Sequence, residues 1–498
     1  MRRIFSRCGI TFALAILLVG CPGADSPSEK AATAGVSPVE IRVMTFNIEW
    51  GGTHVSFDNV VEAIRRSRAD IVGIQEAEGN LERLAAELGW YFESRNYAIS
   101  RFPLLDPPAA KGNYVLVEVK PGYVVALANL HLPSDPYGPD LVRDGAELNA
   151  VLLNEHAVRM PALQPYLDAL PALIDAGMPT LVTGDFNSPT HTDWTTAMVG
   201  RRPFLYYPVE WPVSVAMHRI GFKDAWRDVF PDVADKPGLT WWAARPHLDA
   251  YVFGENDARD RIDLIWFAGP VETEAAQLVG EENAQGVTIS VMPWPSDHRG
   301  VVATFTVQPV PVPNLVTTDR RVYREGDDVH VTCRFRGDGN AEISVTEFDS
   351  DRSVMSRHVQ EPGARFELPS ASAGHYLVTL TVAGTTSVRD FWVLSRDAVP
   401  ALEITGSRFK VDEPVVIRWR NAPGNRNDYI AIYAEESQHN AEAMLAYAYV
   451  DALPAGSMEL SALVSYTGWS MTPGNYVLKL LKDDGYEVLA QTTAFEIH

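Results

Sequence analysis

The chain has 498 residues, more than one hydrophobic core normally supports, so we expect about two to four domains. Its 64 acidic and 42 basic side chains give a formal net charge of −22, and such a field repels polyanions and argues against tight, salt-sensitive binding of nucleic acid. Hydrophobic residues make up 46% of the chain, an ordinary globular balance, and its 34 prolines and 35 glycines predict many turns and hence much β structure.

The N-terminus has the pattern of a targeting segment. Three arginines within the first seven residues precede an apolar stretch at 10–19, which is too short to span a bilayer as a permanent helix. The stretch closes with Leu-Val-Gly-Cys, which resembles the lipobox of bacterial lipoproteins and implies a signal peptide at 1–20 and a lipidated Cys21. An ordinary secretory signal cleaved nearby is the alternative. Residues 21–39 are small and polar and predict a flexible tether. We therefore expect a lipid-anchored protein of the bacterial cell envelope, facing the periplasm or the exterior.

Strand-like and helix-like segments alternate between residues 40 and 308. Six short apolar runs predict buried strands: Val43–Phe46, Ile71–Ile74, Val124–Asn129, Thr180–Thr183, Arg261–Phe267 and Val301–Val307. Three stretches with apolar residues three and four apart predict amphipathic helices: Asn59–Arg68, Leu81–Leu88 and Ala162–Ala176. This alternation predicts a layered α/β domain with sheets inside and helices outside.

A proline-rich segment at 309–314 predicts a linker and a domain boundary, because three alternating prolines enforce an extended connector. Beyond it the helix signals fade and strand alternation dominates. The sequence around Tyr323 recurs in pattern around Phe409, which indicates an internal duplication. We expect two all-β sandwich domains of immunoglobulin-like size, at 315–397 and 398–498.

The second predicted sandwich contains Asn-Asp-Tyr-Ile-Ala-Ile-Tyr at 427–433, which resembles the signature of SKICH-type domains, β-sandwiches of some inositol phosphatases and coactivators. Residues 398–498 are therefore expected to be immunoglobulin-like or SKICH-like. On the duplication, Cys333 takes the core position that Trp419 takes in the second repeat, so we expect its thiol to be buried as a small apolar group.

Polar side chains follow the predicted strands of residues 40–308 in a fixed order. They are Asn47 in Thr-Phe-Asn-Ile-Glu-Trp, Glu76 in Ile-Gln-Glu, His131 in Asn-Leu-His-Leu, Asp185 and Asn187 in Gly-Asp-Phe-Asn, Asp263 in Arg-Ile-Asp, and Asp297 and His298 in Ser-Asp-His. Singly, each fits a turn or helix cap better than a site. Together and in order, they closely resemble the endonuclease/exonuclease/phosphatase superfamily. The resemblance implies a four-layer α/β sandwich (DNase-I-like) catalytic domain at 40–308, followed by the two all-β sandwich domains.

The resemblance and the chemistry of the donors together predict a metal site. Glu76 supplies a hard carboxylate oxygen at a strand end, and such donors suit Mg²⁺, which takes few protein ligands and keeps several waters. Asn47, through its carbonyl oxygen, and Asp297 complete the predicted ligand set. We expect Mg²⁺, with Mn²⁺ as a substitute.

Five further residues are assigned to catalysis on the same basis. Asp185 orients or deprotonates the attacking water, and Asn187 holds a non-bridging phosphate oxygen. His131 and His298, if protonated, stabilise the transition state. Asp263 fixes the tautomer and charge of one of these imidazoles, and the sequence leaves open which one. Arg159 is an alternative phosphate ligand.

These assignments predict a Mg²⁺-dependent phosphoesterase that hydrolyses a phosphodiester (nucleic acid, nucleotide or phospholipid head group) by in-line attack of water. Residues 132–158, between His131 and the next predicted helix, and residues 243–260 are expected to line the mouth of the site. Their acidity does not suit a nuclease that grips a long phosphate backbone, so nucleic-acid contact would be weak.

The alternative function is a surface-binding or assembly lipoprotein in which the β-sandwiches carry the main role and bind an envelope or polymer partner. Membrane contact is expected through the lipid anchor only. Monoester or diester preference, endo or exo action, the number of metals and the oligomeric state stay open.

Overall fold

The structure is a computed structural model, and it describes residues 36–246, 248, 253–254, 257–336, 341–350, 352–361, 363–368, 371–411, 413–437, 443–465 and 469–498. The chain divides into Met1–Ser37 and a unit of Pro38–His498, which contains the described helices and strands. The predicted signal peptide and Cys21 lie outside the described residues. Within the described part of the chain, no helix combines the length and apolarity that crossing a bilayer requires.

The described residues of the N-terminal half form fourteen strands and seven α-helices. The strands, numbered in chain order, are β1 (Val39–Asn47), β2 (Ile71–Gln75), β3 (Tyr91–Glu93), β4 (Ala98–Ser100), β5 (Leu104–Leu105), β6 (Val115–Lys120), β7 (Tyr123–His131), β8 (Thr180–Asp185), β9 (Lys223–Asp224), β10 (Asp263–Ala268), β11 (Val271–Gly280), β12 (Val287–Ser290), β13 (Gly300–Val307) and β14 (Val310–Pro311). The helices are α1 (Phe57–Ser67), α2 (Leu81–Leu88), α3 (Gly138–Arg143), α4 (Leu148–Val158), α5 (Met160–Asp175), α6 (Pro212–Arg219) and α7 (Ala225–Val229).

The strands form two sheets, and the predicted strands and helices of this region are confirmed with small changes of boundary. The first sheet has the order β12-β11-β13-β1-β2-β4-β3, and the second has the order β5-β6-β7-β8-β10-β9, with β14 paired to β7. The stretch 132–158, which was expected to separate His131 from the next helix, instead forms α3 and α4. Only Val151 and Glu155 of α4 are buried, so its apolar spacing gives little indication of a helix.

The two sheets pack face to face, with helices on both outer surfaces. Side chains of both sheets, such as Ile71 and Leu181, share one buried core. Helices α1 and α2 cover the outer face of the first sheet, and α5 and α6 cover that of the second. At Gly73 the sheets approach so closely that a Cβ would lie 2.0 Å from Thr183 Oγ1. The predicted four-layer α/β sandwich is therefore confirmed.

Strand direction brings the predicted site residues to one edge of this sandwich. Strands β1 and β2 run parallel with Asn47 opposite Gln75, and β7 and β8 run parallel with His131 opposite Asp185. Strand β10 runs antiparallel to β8 and begins at Asp263, opposite Asp185. The carboxyl ends of four strands and the start of a fifth therefore meet at the same edge.

The C-terminal part is β-rich, as predicted. Its strands are β15 (Leu315–Thr318), β16 (Val322–Arg324), β17 (Val329–Arg334), β18 (Ala341–Glu347), β19 (Ser353–Val359), β20 (Arg365–Leu368), β21 (Gly374–Val382), β22 (Thr385–Leu394), β23 (Ala401–Ile404), β24 (Arg408–Phe409), β25 (Val416–Arg420), β26 (Tyr429–Ala434), β27 (Met444–Tyr449), β28 (Gly456–Glu459), β29 (Val464–Ser465), β30 (Gly474–Leu481), β31 (Val488–Gln491) and β32 (Phe495–Ile497).

These strands form two pairs of sheets, each with its own core. The first pair is β15-β17-β20 and β16-β22-β21-β18-β19; the second is β23-β25-β28 and β24-β32-β30-β26-β27-β29, with β31 on β30. In each pair a short strand, β16 or β24, runs parallel to the last strand of the repeat. Cys333 is buried in the first core and Trp419 in the second. The immunoglobulin-like or SKICH-like class and the exact domain boundaries stay predictions.

The proline-rich segment 309–314 is attached to the second sheet of the N-terminal half. Val310 of β14 pairs with Val124 of β7. Val312 and Leu315 pack in one buried cluster with Val124 and other side chains of that sheet. The connector is therefore held by hydrogen bonds and apolar contacts at its N-terminal side.

Candidate active site

Asn47 links two carboxylates at the edge where the strands end. Its Nδ2 donates to Glu76 Oε1 at 2.8 Å and to Asp185 Oδ2 at 3.1 Å, while its Oδ1 accepts the backbone N–H of Glu49 at 3.0 Å. The amide nitrogen, and not the predicted carbonyl oxygen, faces the carboxylates. As placed, Asn47 holds Glu76 and Asp185 together, and metal ligation by Asn47 stays a prediction.

Asp263 is paired with His298, which settles the alternative that the sequence left open. His298 Nδ1 lies 2.9 Å from Asp263 Oδ2, and both side chains are buried. Burial opposes protonation of the imidazole, but the charges of Asp263, Asp185 and Asp297 outweigh it and hold the pKa of His298 well above its usual value. The three carboxylates therefore favour the protonated form of His298.

Asp185 lies at the centre of the cluster. Its Oδ2 is 3.6 Å from the Nε2 atoms of both His131 and His298, so the two imidazoles approach the same carboxylate. Burial raises the pKa of Asp185 to about 6, and the histidines and a backbone N–H oppose that rise. A buried carboxyl whose pKa is close to neutral is suited to exchange a proton with water.

Asn187 follows Asp185 in a tight turn. Its backbone N–H donates to Asp185 Oδ1 at 2.9 Å, and its Nδ2 donates to the carbonyl of Leu132 at 2.9 Å and lies 3.4 Å from Asp185 Oδ2. The φ angle of Asn187 is +46°, and that of Glu76 is +54°, both in the left-handed region. Backbone conformations of this kind in residues other than glycine cluster at functional sites.

Asp297 is the last member of the cluster, and two residues that the sequence did not assign to the site, Trp241 and Glu49, hold it in place. Its Oδ2 accepts the indole N–H of Trp241 at 3.3 Å, and its backbone N–H donates to Glu49 Oε2 at 3.1 Å. Glu49 is buried in an ion pair of 2.6 Å with Arg245. Burial and the neighbouring Asp297 raise the pKa of Glu49 to about 8. Glu49 lies in the first motif, two residues after Asn47, and this position could have indicated that Glu49 belongs to the site.

The donor set fits a hard divalent cation. Burial raises the pKa of Asp297; the charge of His298 opposes this rise, and the charge of Glu76 adds to it. The carboxylates of Asp297 and Glu76 therefore repel each other, and a cation between them would relieve this repulsion. Ligand atoms of Asp185, Asp263 and His298 also lie within 4.8 Å of one another. Because His298 and Asp263 already pair at 2.9 Å, we consider Glu76 and Asp297 the better placed oxygen ligands.

The alternative role of Arg159 is wrong, and one acidic residue of the predicted mouth is buried. Arg159 is not a phosphate ligand, since it is fully buried, pairs with Glu155 at 2.7 Å and donates to the carbonyl of Pro136 at 3.1 Å. Asp260 belongs to the predicted mouth segment 243–260. That carboxylate is buried, with Trp194 Nε1 at 2.9 Å and Arg202 Nη2 at 2.7 Å, and it holds the loop in place.

A cavity of about 690 Å³ opens beside Glu76 and His131. Its opposite lining comes from the C-terminal β region and includes Arg426, Tyr449 and Asp484. Asp484 accepts hydrogen bonds from Tyr449 Oη at 2.8 Å and from Asn427 Nδ2 at 2.6 Å. The motifs do not indicate this wall, because its residues lie more than about 120 positions beyond the last motif, Ser-Asp-His at 296–298.

Comparison with known proteins gives a family match and remote structural similarities. The model of the Endonuclease/Exonuclease/phosphatase family matches residues 44–298. An uncharacterized protein of Caenorhabditis elegans is 28% identical over 291 residues, which cover 53% of this chain and 91% of that protein. An AP endonuclease from Archaeoglobus fulgidus (TM-score 0.34, 14% identity, 53% of this chain and 98% of that chain) shows a similar structure. So does D. rerio TDP2 complexed with single strand DNA product (TM-score 0.32, 14% identity, 54% and 99%).

Proposed function

The chain belongs to the endonuclease/exonuclease/phosphatase family, and from this premise we propose that it is a divalent-metal-dependent phosphoesterase that hydrolyses a phosphodiester by in-line attack of water. The observation that carries the proposal is the position of Asp185, with both His131 and His298 at 3.6 Å from one carboxylate oxygen. The other seven candidate residues lie near Asp185 at the same edge, which supports the proposal.

Glu76 and Asp297 would hold the metal, with Mg²⁺ as the preferred ion and Mn²⁺ as a substitute. When bound, such an ion polarises a phosphate oxygen and offsets the charge that develops on the leaving group. Asn47 fixes Glu76 through its amide nitrogen at 2.8 Å. Trp241 and the Glu49–Arg245 pair fix Asp297 and the turn that carries it.

The remaining residues act on the phosphate and on water. Asp185, with its pKa raised to about 6, accepts a proton from the attacking water. His298 keeps its proton because Asp263 lies at its Nδ1, and it therefore presents a positive charge to the phosphate through Nε2. His131 approaches the same point from β7, and its side chain is 31% exposed, as contact with a substrate requires.

A hydrolysis panel tests the proposal. The purified chain would be assayed with plasmid DNA, RNA, bis-p-nitrophenyl phosphate, sphingomyelin and inositol phosphates, with chelator and with added Mg²⁺ or Mn²⁺. We expect Asp185→Asn to lower kcat by about 10²–10⁴-fold, the usual contribution of a general base. Asp168→Asn, an exposed carboxylate on α5, is the matched control. A folded protein that hydrolyses none of these substrates, or an Asp185→Asn variant with full activity, would refute the proposal.

The β region is proposed to be part of the catalytic unit, against the alternative of a binding protein with incidental hydrolysis. Arg334 of β17 pairs with Glu118 of β6 at 2.9 Å, and both side chains are mostly buried. Arg426 donates to Tyr166 Oη at 2.5 Å, and Asp483 accepts the hydroxyl of Tyr97. If Arg426→Ala changed attachment to an envelope polymer and left turnover of every ester unchanged, the binding-protein alternative would be favoured.

The protein is further proposed to be anchored to a bacterial envelope through Cys21. The support is the lipobox-like sequence alone. Cell fractionation of the native chain and of Cys21→Ser tests it. We expect the native chain in the membrane fraction and the variant in the soluble fraction, and equal distribution of both would contradict the anchor.

A further inference from the structure

A cluster of mostly buried arginines lines the cavity beside the proposed catalytic residues. Arg95, Arg321 and Arg389, here termed the arginine cluster, share the lining of this cavity with Glu76 and His131. Arg95 comes from the catalytic half, whereas Arg321 directly precedes β16 and Arg389 lies on β22, both in the first C-terminal repeat. In a chain of net charge −22, guanidinium groups concentrated in one cavity need a physical explanation.

Two carboxylates only partly neutralise this cluster. Asp106 Oδ2 lies 3.1 Å from Arg95 Nη1 and 2.8 Å from Arg389 Nη2. Arg321 Nη2 lies 2.8 Å from both oxygens of Asp390. Three guanidiniums therefore face two paired carboxylates. A third carboxyl group, that of Glu93, accepts the backbone N–H of Arg95 at 3.1 Å, and burial and the charge of Asp106 raise its pKa to about 7, so it offsets the positive charge only in part.

The guanidinium groups also repel one another and keep unused donors. Burial, then the nearby charge of Arg95 and to a smaller extent that of Arg389, lower the pKa of Arg321, although Asp390 opposes the effect. The side chain of Arg389 is only 3% exposed. Among the described residues, the Nε atoms of all three arginines are buried without a hydrogen-bond acceptor. A buried donor without a partner is unfavourable, and an anion in the cavity would relieve the excess of positive charge.

The other part of the cavity lining has the opposite charge. Asp484, like Glu76, lines the cavity, and burial raises the pKa of Asp484 to about 6 while His131 opposes the rise and Glu76 adds to it. These groups form the side at which a cation and a scissile phosphate would bind. Elsewhere in the lining, two further basic residues add to the positive charge of the arginine cluster: the exposed Lys111 and Arg426. The cavity therefore combines a metal-binding side with an anion-binding side.

We propose that the arginine cluster binds a second anionic group of the substrate, so that this protein acts on small phosphate esters that carry a second phosphate. The inference rests on the proposed function and names its substrate class. A volume of about 690 Å³ is that of a small-molecule site. Because the C-terminal sheets supply Arg321 and Arg389, the β region contributes substrate specificity.

The test compares substrates that differ by one phosphate. Thymidine 5′-(p-nitrophenyl phosphate) would be compared with the same compound bearing a 3′-phosphate, by release of p-nitrophenol. Glycerophosphoinositol would be compared with its 4-phosphate, by release of glycerol. We expect the extra phosphate to raise kcat/KM at least tenfold in one of the two pairs. The pair that responds identifies a nucleotide or a head group as the source of the second phosphate.

Variants show whether the arginine cluster causes the preference. Arg321→Gln should reduce the preference for the extra phosphate, with little effect on kcat/KM for the substrate that lacks it. Lys111→Gln, at an exposed position of the same lining that tolerates change, should have the same effect. Arg101→Gln, which removes an exposed guanidinium 3.5 Å from Asp70, is the matched control. Hydrolysis without any preference would overturn this inference and leave the proposed function intact. Hydrolysis of none of the four compounds, nor of the wider panel, would overturn both.

Discussion

Replacing Asp263 by Asn tests how His298 keeps its proton. The Asp263 carboxylate lies 2.9 Å from His298 Nδ1 in a buried pair, and it is the largest of the contributions that raise the pKa of His298. Asparagine has nearly the same shape but carries no charge, so the change removes the charge and leaves the packing of the site in place. Asp185 and Asp297 remain in the variant and still favour the imidazolium.

The expected size of the effect follows from the hydrogen bond that is lost. A hydrogen bond to a charged group contributes about 1.5–3 kcal/mol. One pKa unit corresponds to about 1.36 kcal/mol. The pKa of His298 should therefore fall by about one to two units in Asp263→Asn. Since the proposed active form is the protonated imidazole, activity should be lost at a correspondingly lower pH as the pH rises.

The assay is the pH profile of kcat/KM for the native chain and the variant at saturating Mg²⁺. We expect the alkaline limb of the variant to lie about one to two pH units below that of the native chain. Asp168→Asn, tested in parallel, should leave the profile unchanged. An alkaline limb at the same pH in Asp263→Asn would show that this carboxylate does not set the charge of His298, and the assigned role of the pair would be wrong.

Three other changes have expected outcomes. In metal-free buffer, Asp185→Asn should be more stable than the native chain by about 1–3 kcal/mol above pH 6 in urea unfolding. The raised pKa of about 6 means that this carboxyl destabilises the fold as the pH rises from 3.8 towards 6, so a gain that persisted below pH 4 would contradict the argument. Gly73→Ala should lower the free energy of unfolding by about 1–3 kcal/mol, because its Cβ would lie 2.0 Å from Thr183 Oγ1; a melting temperature equal to that of the native chain would count against this close contact. Arg159→Ala should cost about 3–5 kcal/mol of stability, since it leaves Glu155 buried and unpaired; a selective rise in KM with unchanged stability would instead restore Arg159 as a phosphate ligand.

The positions of the candidate site residues at one sheet edge could be predicted from the sequence because strand ends are local features. An apolar run that stops at a polar residue specifies both the strand and the position of that residue, and parallel neighbours such as β1 and β2 then bring their ends together. Asp185 and His131 could be placed in this way without knowledge of any contact. The orientation of the Asn47 amide could not be predicted, because it depends on three partners from different parts of the chain.

The elements that were missed depend on contacts between distant residues or on weak local signals. Helix α4 buries few of its apolar residues, so its sequence resembles a loop with scattered apolar positions. The pair between Glu49 and Arg245 joins residues on two separate loops. The wall that the β region adds to the cavity requires Arg426 to reach Tyr166, 260 positions earlier in the chain. Sequence patterns within one segment contain no information on such pairs.

The attachment of β14 has a consequence for how this architecture can vary. Strand β14 pairs with Tyr123 and Val124, while the rest of β7, from Ala126 onward, pairs with β8. The connector thus pairs at one defined position along β7. Successive side chains of the connector point to opposite faces of the sheet. Inserting or deleting a single residue at 309–314 would exchange those faces and remove Val312 from its apolar cluster. The number of residues at 309–314 therefore sets how the arginine-bearing sheets align with the catalytic edge. Homologues that retain the shared cavity should have the same number of residues in this segment, even where the residues themselves differ.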